Sequence, residues 1–390
     1  MYIKRNVTPK LLRLSRQYPV VTVTGPRQSG KTTLCRKIFT KHEYVSLEDI
    51  TNRDFAREDP KGFLKRFGGK TIIDEIQRVP ELLSYIQGIV DEKNTNGMYV
   101  LTGSCQFEMM ASVTQSLAGR SALARLYPFS YDEVYKKRTG ADLETVLYTG
   151  FYPRIFSQGL NPTEMYSFYT NAYIERDIRQ VMNIQDLHLF ERFLRICAGR
   201  NAQVVNFNSI AGDCGVDNKT VKRWLSLLEA SYIVKLLRPY YKNINKRLTK
   251  SPKLYFCDTG LVCYLLEIKD AGQLRNHPLA GAIFESYVLS EIWKYNANRI
   301  LSDNVYFFRD TRGREVDVIF DQASSISQME IKKGATVNPS FFKTLKYLEC
   351  LDLSIKGSYL IYGGTDSHTR QGVNVFSWRQ IEEALKKITL

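Results

Sequence analysis

The sequence lacks the marks of a secreted, membrane-spanning or zinc-bound protein. Its seven cysteines, Cys35, Cys105, Cys197, Cys214, Cys257, Cys263 and Cys350, are scattered, with no C-x-x-C pair and no His-Cys cluster at zinc spacing. They read as small buried apolar side chains in a reducing compartment. Met1 to Arg16 mixes basic residues with single leucines instead of forming a continuous apolar core, so no signal peptide is expected. No later apolar run is long enough to span a bilayer, and there is no juxtamembrane polybasic block of the kind that favours a lipid partner. Together these absences predict a cytoplasmic protein without a membrane partner.

What the chain does have is length, ordinary apolar content and a large positive charge. At 390 residues, 44% of them hydrophobic, it can build two or three domains with real cores. A formal charge of +15 attracts phosphate backbones or anionic surfaces. Because the basic residues are dispersed and interleaved with tyrosines and leucines, DNA is the expected partner rather than lipid.

The most informative stretch runs from Val21 to Leu34, V-T-V-T-G-P-R-Q-S-G-K-T-T-L. A β-branched strand leads into Gly25-Pro26-Arg27-Gln28-Ser29-Gly30-Lys31-Thr32, which fits the phosphate-loop pattern G-x-x-x-x-G-K-[ST] residue for residue, with Thr33 following. Glycines let such a loop turn its backbone N–H groups inward around a phosphate, and the helix opening at Lys31 adds its positive N-terminal end. Lys31 would reach the β- and γ-phosphates, and the Thr32 hydroxyl would sit on Mg²⁺. The expected cofactors are therefore ATP and Mg²⁺.

A strand at Tyr44-Val45-Ser46-Leu47, a helical segment from Glu48 to Phe67 and a second strand, Thr71-Ile72-Ile73-Asp74-Glu75, follow in α/β alternation. The two carboxylates lie about forty residues beyond the loop, where a Walker B pair belongs. Asp74 would hold the Mg²⁺ water shell opposite Thr32, and Glu75 would orient the attacking water. After a helix from Glu81 to Asp91 comes the strand Met98 to Thr102, and then Gly103-Ser104. Ser104 can sense the γ-phosphate or simply start a turn; the sequence leaves both open.

With the segment Ser116-Leu117-Ala118-Gly119-Arg120 to Ser130, nearly the whole chain resembles a family of prokaryotic AAA-type ATPases. In these, a GPRQ-x-GKT loop and an L-A-G-R segment precede a long C-terminal region of unknown function. The resemblance implies an AAA-type parallel sheet over residues 1–150. It also implies an arginine supplied across a subunit boundary to the transition state, which requires a homo-oligomer. Arg120 is the first candidate and Arg125 the second; pairing with a nearby carboxylate is the bland alternative for Arg120.

Residues 151–268 read as a helical and winged-helix domain. Helices are expected over Pro162 to Met182 and Asp186 to Ala198. Tyr173-Ile174-Glu175-Arg176-Asp177-Ile178 matches a signature of the resembled family, with charges that brace helices. Asn206 to Leu225 has the layout of a helix-turn-helix with its turn at Gly215, Asp217 or Asn218 as a cap, and Lys219, Thr220, Lys222 and Arg223 in the opening turns of the second helix. A β-pair, Tyr232 to Tyr240 and Lys253 to Cys257, encloses a basic loop containing Lys246 and Arg247. The resembled family shows N-x-x-K-R and S-P-K-x-Y-F-x-D-T-G here. Such a wing can touch DNA or dock a protein.

From 269 to 390 another α/β unit begins. Its order of helix Glu285, strand Asp317, then Glu330-x-Lys332 resembles the PD-(D/E)-x-K restriction-endonuclease-like fold, although Val316 stands where the named motif has proline. Strand alternation puts Glu330 and Lys332 on one side, where Asp317 can meet them. Asp317, Glu330 and Glu285 would hold Mg²⁺, and Lys332 would lower the pKa of an attacking water. Lys333, on the opposite face, is expected to be solvated, and an exposed edge strand is the alternative setting for Glu330 and Lys332. Two functions fit: an ATP-hydrolysing protein that cuts DNA, and a nucleotide-controlled DNA- or protein-binding switch whose nuclease-like domain cuts nothing.

Overall fold

The computed structural model describes residues 2–104, 116–136, 140–175, 187–241, 250–351 and 353–389. The chain divides into two compact units. The first comprises Met1–Phe129, Ala230–Tyr232 and Asn296–Leu301; the second comprises Ser130–Glu229, Ile233–Tyr295 and Ser302–Leu390. The expected boundaries at 150 and 268 thus both fall inside the second unit.

The first unit is built on five parallel strands: β1 (Val20–Gly25), β2 (Glu43–Ser46), β3 (Thr71–Asp74), β4 (Tyr99–Ser104) and β5 (Ser121–Arg125), in the order β2-β3-β4-β1-β5. β1, β3 and β4 are buried along their whole length, as interior strands covered on both faces must be. Alternation along β3 sends Ile73 into one apolar cluster with Phe63, Leu82 and Leu101, and Ile72 into the opposite one with Leu11, Leu34 and Val100. The expected helical run from Glu48 to Phe67 is two helices, Ile50–Glu58 and Pro60–Arg66. Pro60 disfavours a helical residue before it, and Asp59 caps the second helix by accepting from the Gly62 N–H at 2.8 Å. Gly25 is required by space: a Cβ there would lie 2.1 Å from the Leu126 carbonyl oxygen.

The second unit carries helices Leu187–Gly199, Phe207–Cys214 and Asn218–Ala230 beside an antiparallel sheet of β6 (Gln203–Val204), β7 (Val234–Leu237) and β8 (Lys253–Phe256). Helix Pro162–Tyr169 passes into a π-helical turn at Thr170–Glu175; the remainder of the expected run to Met182, with Arg176 to Ile178, lies outside the described residues. The long helix Ala280–Arg299 precedes a six-stranded mixed sheet. Its strands are β9 (Val305–Arg309), β10 (Glu315–Asp321), β11 (Ile326–Lys332), β12 (Ile355–Tyr362), β13 (His368–Arg370) and β14 (Val373–Ser377), in the order β13-β14-β12-β11-β10-β9. The two sheets of this unit are joined through backbone: Tyr240 N–H donates to the Phe307 carbonyl at 2.6 Å, and Phe307 N–H to that of Arg238 at 3.1 Å. Among the described residues, no helix is long and apolar enough to cross a membrane.

Candidate functional site

The loop at Pro26 to Gly30 leaves the C-terminal end of β1, with Gly30 left-handed (φ 91°) immediately before the helix Lys31–Ile38. Lys31 is buried and donates from Nζ to the carbonyls of Gly25 at 2.9 Å and Pro26 at 2.8 Å. Among the described residues no carboxylate is bound to it, so its ammonium is held inside the loop by weak acceptors that an anionic phosphate can replace. Burial pushes its pKa down to about 8, against the pull of Glu75 and Asp74. The Thr32 hydroxyl donates to both Asp74 oxygens at 3.0 Å. This hydroxyl-carboxylate pair offers the oxygen donors that Mg²⁺ takes, and such a site needs only one or two protein ligands because the phosphates supply others. Arg27, Gln28, Ser29 and Thr33 lie on the same loop and helix opening.

Asp74 also accepts from Tyr44 OH at 3.0 Å and from the Thr102 hydroxyl. Glu75 follows in a left-handed conformation (φ 58°), unusual for a residue with a side chain, and accepts from Gln77 Nε2. Burial raises its pKa. Gln77 Nε2 donates in turn to Ser104 Oγ at 3.0 Å, and Ser104 pairs with Gly25 across β4 and β1. Glu75 and Ser104 are thus linked through one amide beside the loop.

Three side chains in this network carried no sequence signal on their own: Tyr44, Thr102 and Gln77 become legible only once the strand order brings their partners near. Arg5 is a fourth. Its guanidinium donates to the carbonyls of Ser29 at 2.9 Å, Tyr127 at 2.6 Å and Pro128 at 3.3 Å, pinning the loop to the chain that leaves β5. Arg5→Ala leaves those carbonyls without this donor and is expected to weaken nucleotide binding about tenfold, read by isothermal titration with a melting curve as the folding control.

Arg120 stands at the start of β5. The register pairs Ser121 with Val20 and Arg125 with Thr24, so Arg120 lies on the sheet edge away from its own loop, about 16 Å along the strand, whereas Arg125 lies on the loop's edge. Arg120 Nη2 donates to Asp91 Oδ2 at 2.8 Å.

In the second unit, Lys219, Lys222 and Arg223 are exposed on the helix Asn218–Ala230, and Thr220 N–H donates to the capping Asp217 at 2.7 Å. Lys246 and Arg247 lie outside the described residues. The structure brings Asp317, Glu330 and Lys332 together: Lys332 Nζ is 3.4 Å from Asp317 and 2.5 Å from Glu330. β11 lies in the sheet interior and Glu330 is buried, so the exposed-edge setting does not apply. Nor is Lys333 solvated; it pairs with Glu144 at 3.0 Å.

The three carboxylates expected to hold a metal, Glu285, Asp317 and Glu330, are each paired with a lysine. Among the described residues no group of three or more His, Cys, Asp or Glu side chains is placed to hold a metal ion. Lys332 pairs with Asp317 and Glu330. Glu285 is taken by Lys253 Nζ at 3.1 Å and by Tyr255 OH. Lys253 also pairs with Glu315. Burial raises Glu285 to about 7 and Glu330 to about 8, with Asp317 adding to both. Lys253 and Tyr255, two apart on β8, share a face, a period-two signal already present in S-P-K-L-Y-F.

Residues 17–135 match the family model described as an AAA domain. Over that span the chain is similar to an AAA domain, and the loop and the Thr32–Asp74 pair fall within it. Two further models, each described as a domain of unknown function, match residues 140–272 and 280–381. Uncharacterized proteins of Mycobacterium tuberculosis and Mycobacterium bovis are each 28% identical over 364 residues, 93% of this chain and 80% of theirs. Among solved structures, a Walker-type ATPase of Pyrococcus abyssi matches at 13% identity over 68% of this chain and 96% of its own, with a TM-score of 0.46. AMPPCP-bound DnaA of Aquifex aeolicus matches at 13% identity over 57% and 85%, with a TM-score of 0.31.

Proposed function

We propose that the chain binds and hydrolyses ATP in its AAA-type unit and acts on DNA through the second. The observation that carries this reading is the placement of Lys31 inside the loop, with Thr32 on Asp74 and Glu75 beside them. Lys31 would exchange the loop carbonyls for phosphate oxygens, and Thr32 and Asp74 would hold Mg²⁺, which when bound neutralises charge on the β- and γ-phosphates. Glu75 would accept hydrogen bonds from the attacking water and align it with the γ-phosphate, with Gln77 fixing the carboxylate and Ser104 reporting the phosphate through the same amide. Arg120, placed at the sheet edge away from its own loop, would serve a neighbouring subunit after leaving Asp91. ATP turnover that vanishes in the Lys31 and Glu75 variants tests the reading.

The helices Phe207–Cys214 and Asn218–Ala230 with β7 and β8 would form a winged helix whose second helix presents Lys219, Lys222 and Arg223 to a phosphate backbone. Replacing these three by alanine is expected to weaken duplex binding similarly for all sequences. It should reduce the slope of log affinity against log salt by about one per lost contact, read by fluorescence anisotropy across a salt series. Salt-insensitive binding to a protein would instead favour the docking role.

The last domain would be restriction-endonuclease-like. Engagement of its carboxylates by Lys253 and Lys332 favours the second of the two functions, a nucleotide-controlled switch that holds DNA without cutting it. DNA cleavage with Mg²⁺ or Mn²⁺ that disappears in Asp317→Ala would reinstate the nuclease.

A further inference from the structure

The ionisable groups at the junction of β8, β10, β11 and the helix Ala280–Arg299 do not balance. Glu285, Glu315, Asp317 and Glu330 face two ammonium groups, Lys253 and Lys332, and one half-exposed guanidinium, Arg309, 3.7 Å from Glu315. Glu330 is 5% exposed, and its Oε2 is buried without a hydrogen-bond partner. A buried carboxyl oxygen left in that state is costly when ionised; burial favours a proton on Glu330, and a cation is the other group that can meet the charge. The ammonium of Lys253, itself 3% exposed, lies in the same cluster against Glu285 and Glu315. It arrives on β8, a strand of the other sheet, whereas the carboxylates sit on the six-stranded sheet and the long helix.

We propose that Lys253 is a resident counter-cation that closes this carboxylate cluster to divalent metal ions. The inference rests on reading Glu285, Asp317 and Glu330 as one acidic site. A lysine in this position has a consequence that an ordinary structural ion pair lacks. With Lys253 in place, a divalent ion must displace an ammonium from Glu285 and approach it against like charge; without it, Glu285 keeps Tyr255 and Glu315 keeps Arg309, but both lose the competing ammonium and can offer hard oxygen donors beside Asp317 and Glu330. Tyr255 OH, bonded to the same Glu285 oxygen as Lys253, keeps that carboxylate turned toward β8.

The test is a Mn²⁺ titration of the full chain followed by electron paramagnetic resonance, with melting curves alongside. It compares wild type, Asp317→Asn, Lys253→Met, Lys253→Arg and the double variant Lys253→Met/Asp317→Asn. Lys253→Met is expected to bind one Mn²⁺ more per chain than wild type, at an affinity about tenfold or more tighter than any such site in wild type. That extra ion should raise its melting temperature, be absent in Lys253→Arg, and be lost with Asp317→Asn. If Lys253→Met does not fold, Lys253→Gln takes its place. Wild type binding an Asp317-dependent Mn²⁺ as tightly as the neutral variants overturns the inference while leaving the acidic site standing. No Asp317-dependent ion in any variant overturns both the inference and the reading of these carboxylates as a cation site.

Discussion

ATP turnover is expected to fall on the order of 10²–10³-fold or more when Lys31 is replaced by alanine, with nucleotide binding lost in step. The size follows from where the ammonium sits. It is buried, its present acceptors are two backbone carbonyls, and a triphosphate offers it charged oxygens in the same space. Its pKa supplies a second readout. In the resting chain burial holds Lys31 near 8, below the ordinary 10.5. Bound phosphates add negative charge and raise that value, so between the two pKa values binding takes up a proton. ATP affinity should therefore be flat below about pH 7 and fall by up to about tenfold per pH unit above 8. Calorimetry in buffers of different ionisation enthalpy measures the uptake directly. The sign for folding is opposite: the unfolded lysine binds more protons between about 8 and 10.5, so the nucleotide-free chain gains stability as pH rises through that window. Turnover by Lys31→Ala at the wild-type rate would remove the nucleotide reading altogether.

The difference between what could be read in the sequence and what needed the fold is one of range. The loop, Asp74 and Glu75 were legible because each lies at the end of a strand whose β-branched run announces it, and a single crossover sets their spacing. β5 was not: Ser-Ala-Leu-Ala-Arg is short and rich in helix-favouring alanine and leucine, and only its parallel pairing with β1 makes it a strand. Without β5 in view, the opposite placements of Arg120 and Arg125 could not be foreseen. In the last domain, alternation placed Glu330 beside Lys332 correctly. Whether β11 was an edge or an interior strand depended on β12, about thirty residues on and paired in parallel, which carries no local signature. Lys253 stood in a recognisable motif, yet its partner Glu285 is 32 residues away on another element. Buried ion pairs between elements leave no periodic trace, so the lysine that pairs with Glu285 was visible as a residue and invisible as a contact.

Glu75→Gln should do the reverse of Lys31→Ala: abolish turnover while keeping, or tightening, ATP binding. A general base contributes on the order of 10²–10⁴-fold, and the amide has the same shape without the proton affinity. Three features single out this carboxylate over its neighbour. Asp74 is saturated by Thr32, Tyr44 and Thr102, and its replacement should cost Mg²⁺ binding. Glu75 instead has one side-chain donor, Gln77, and sits in a left-handed backbone that an ordinary residue adopts only at a cost. Burial, which raises its pKa, also makes it a better proton acceptor than a solvated glutamate. Removing its charge takes away a repulsion toward the γ-phosphate, so the variant should retain ATP through gel filtration where wild type releases ADP. It should also lower the resting pKa of Lys31 further, because Glu75 is the largest of the charges that raise it. The pH at which ATP affinity begins to fall would then move below that of wild type. A Glu75→Gln protein that hydrolyses ATP normally would transfer the base to another group, and one that neither binds nor hydrolyses would make Glu75 a structural support of the loop.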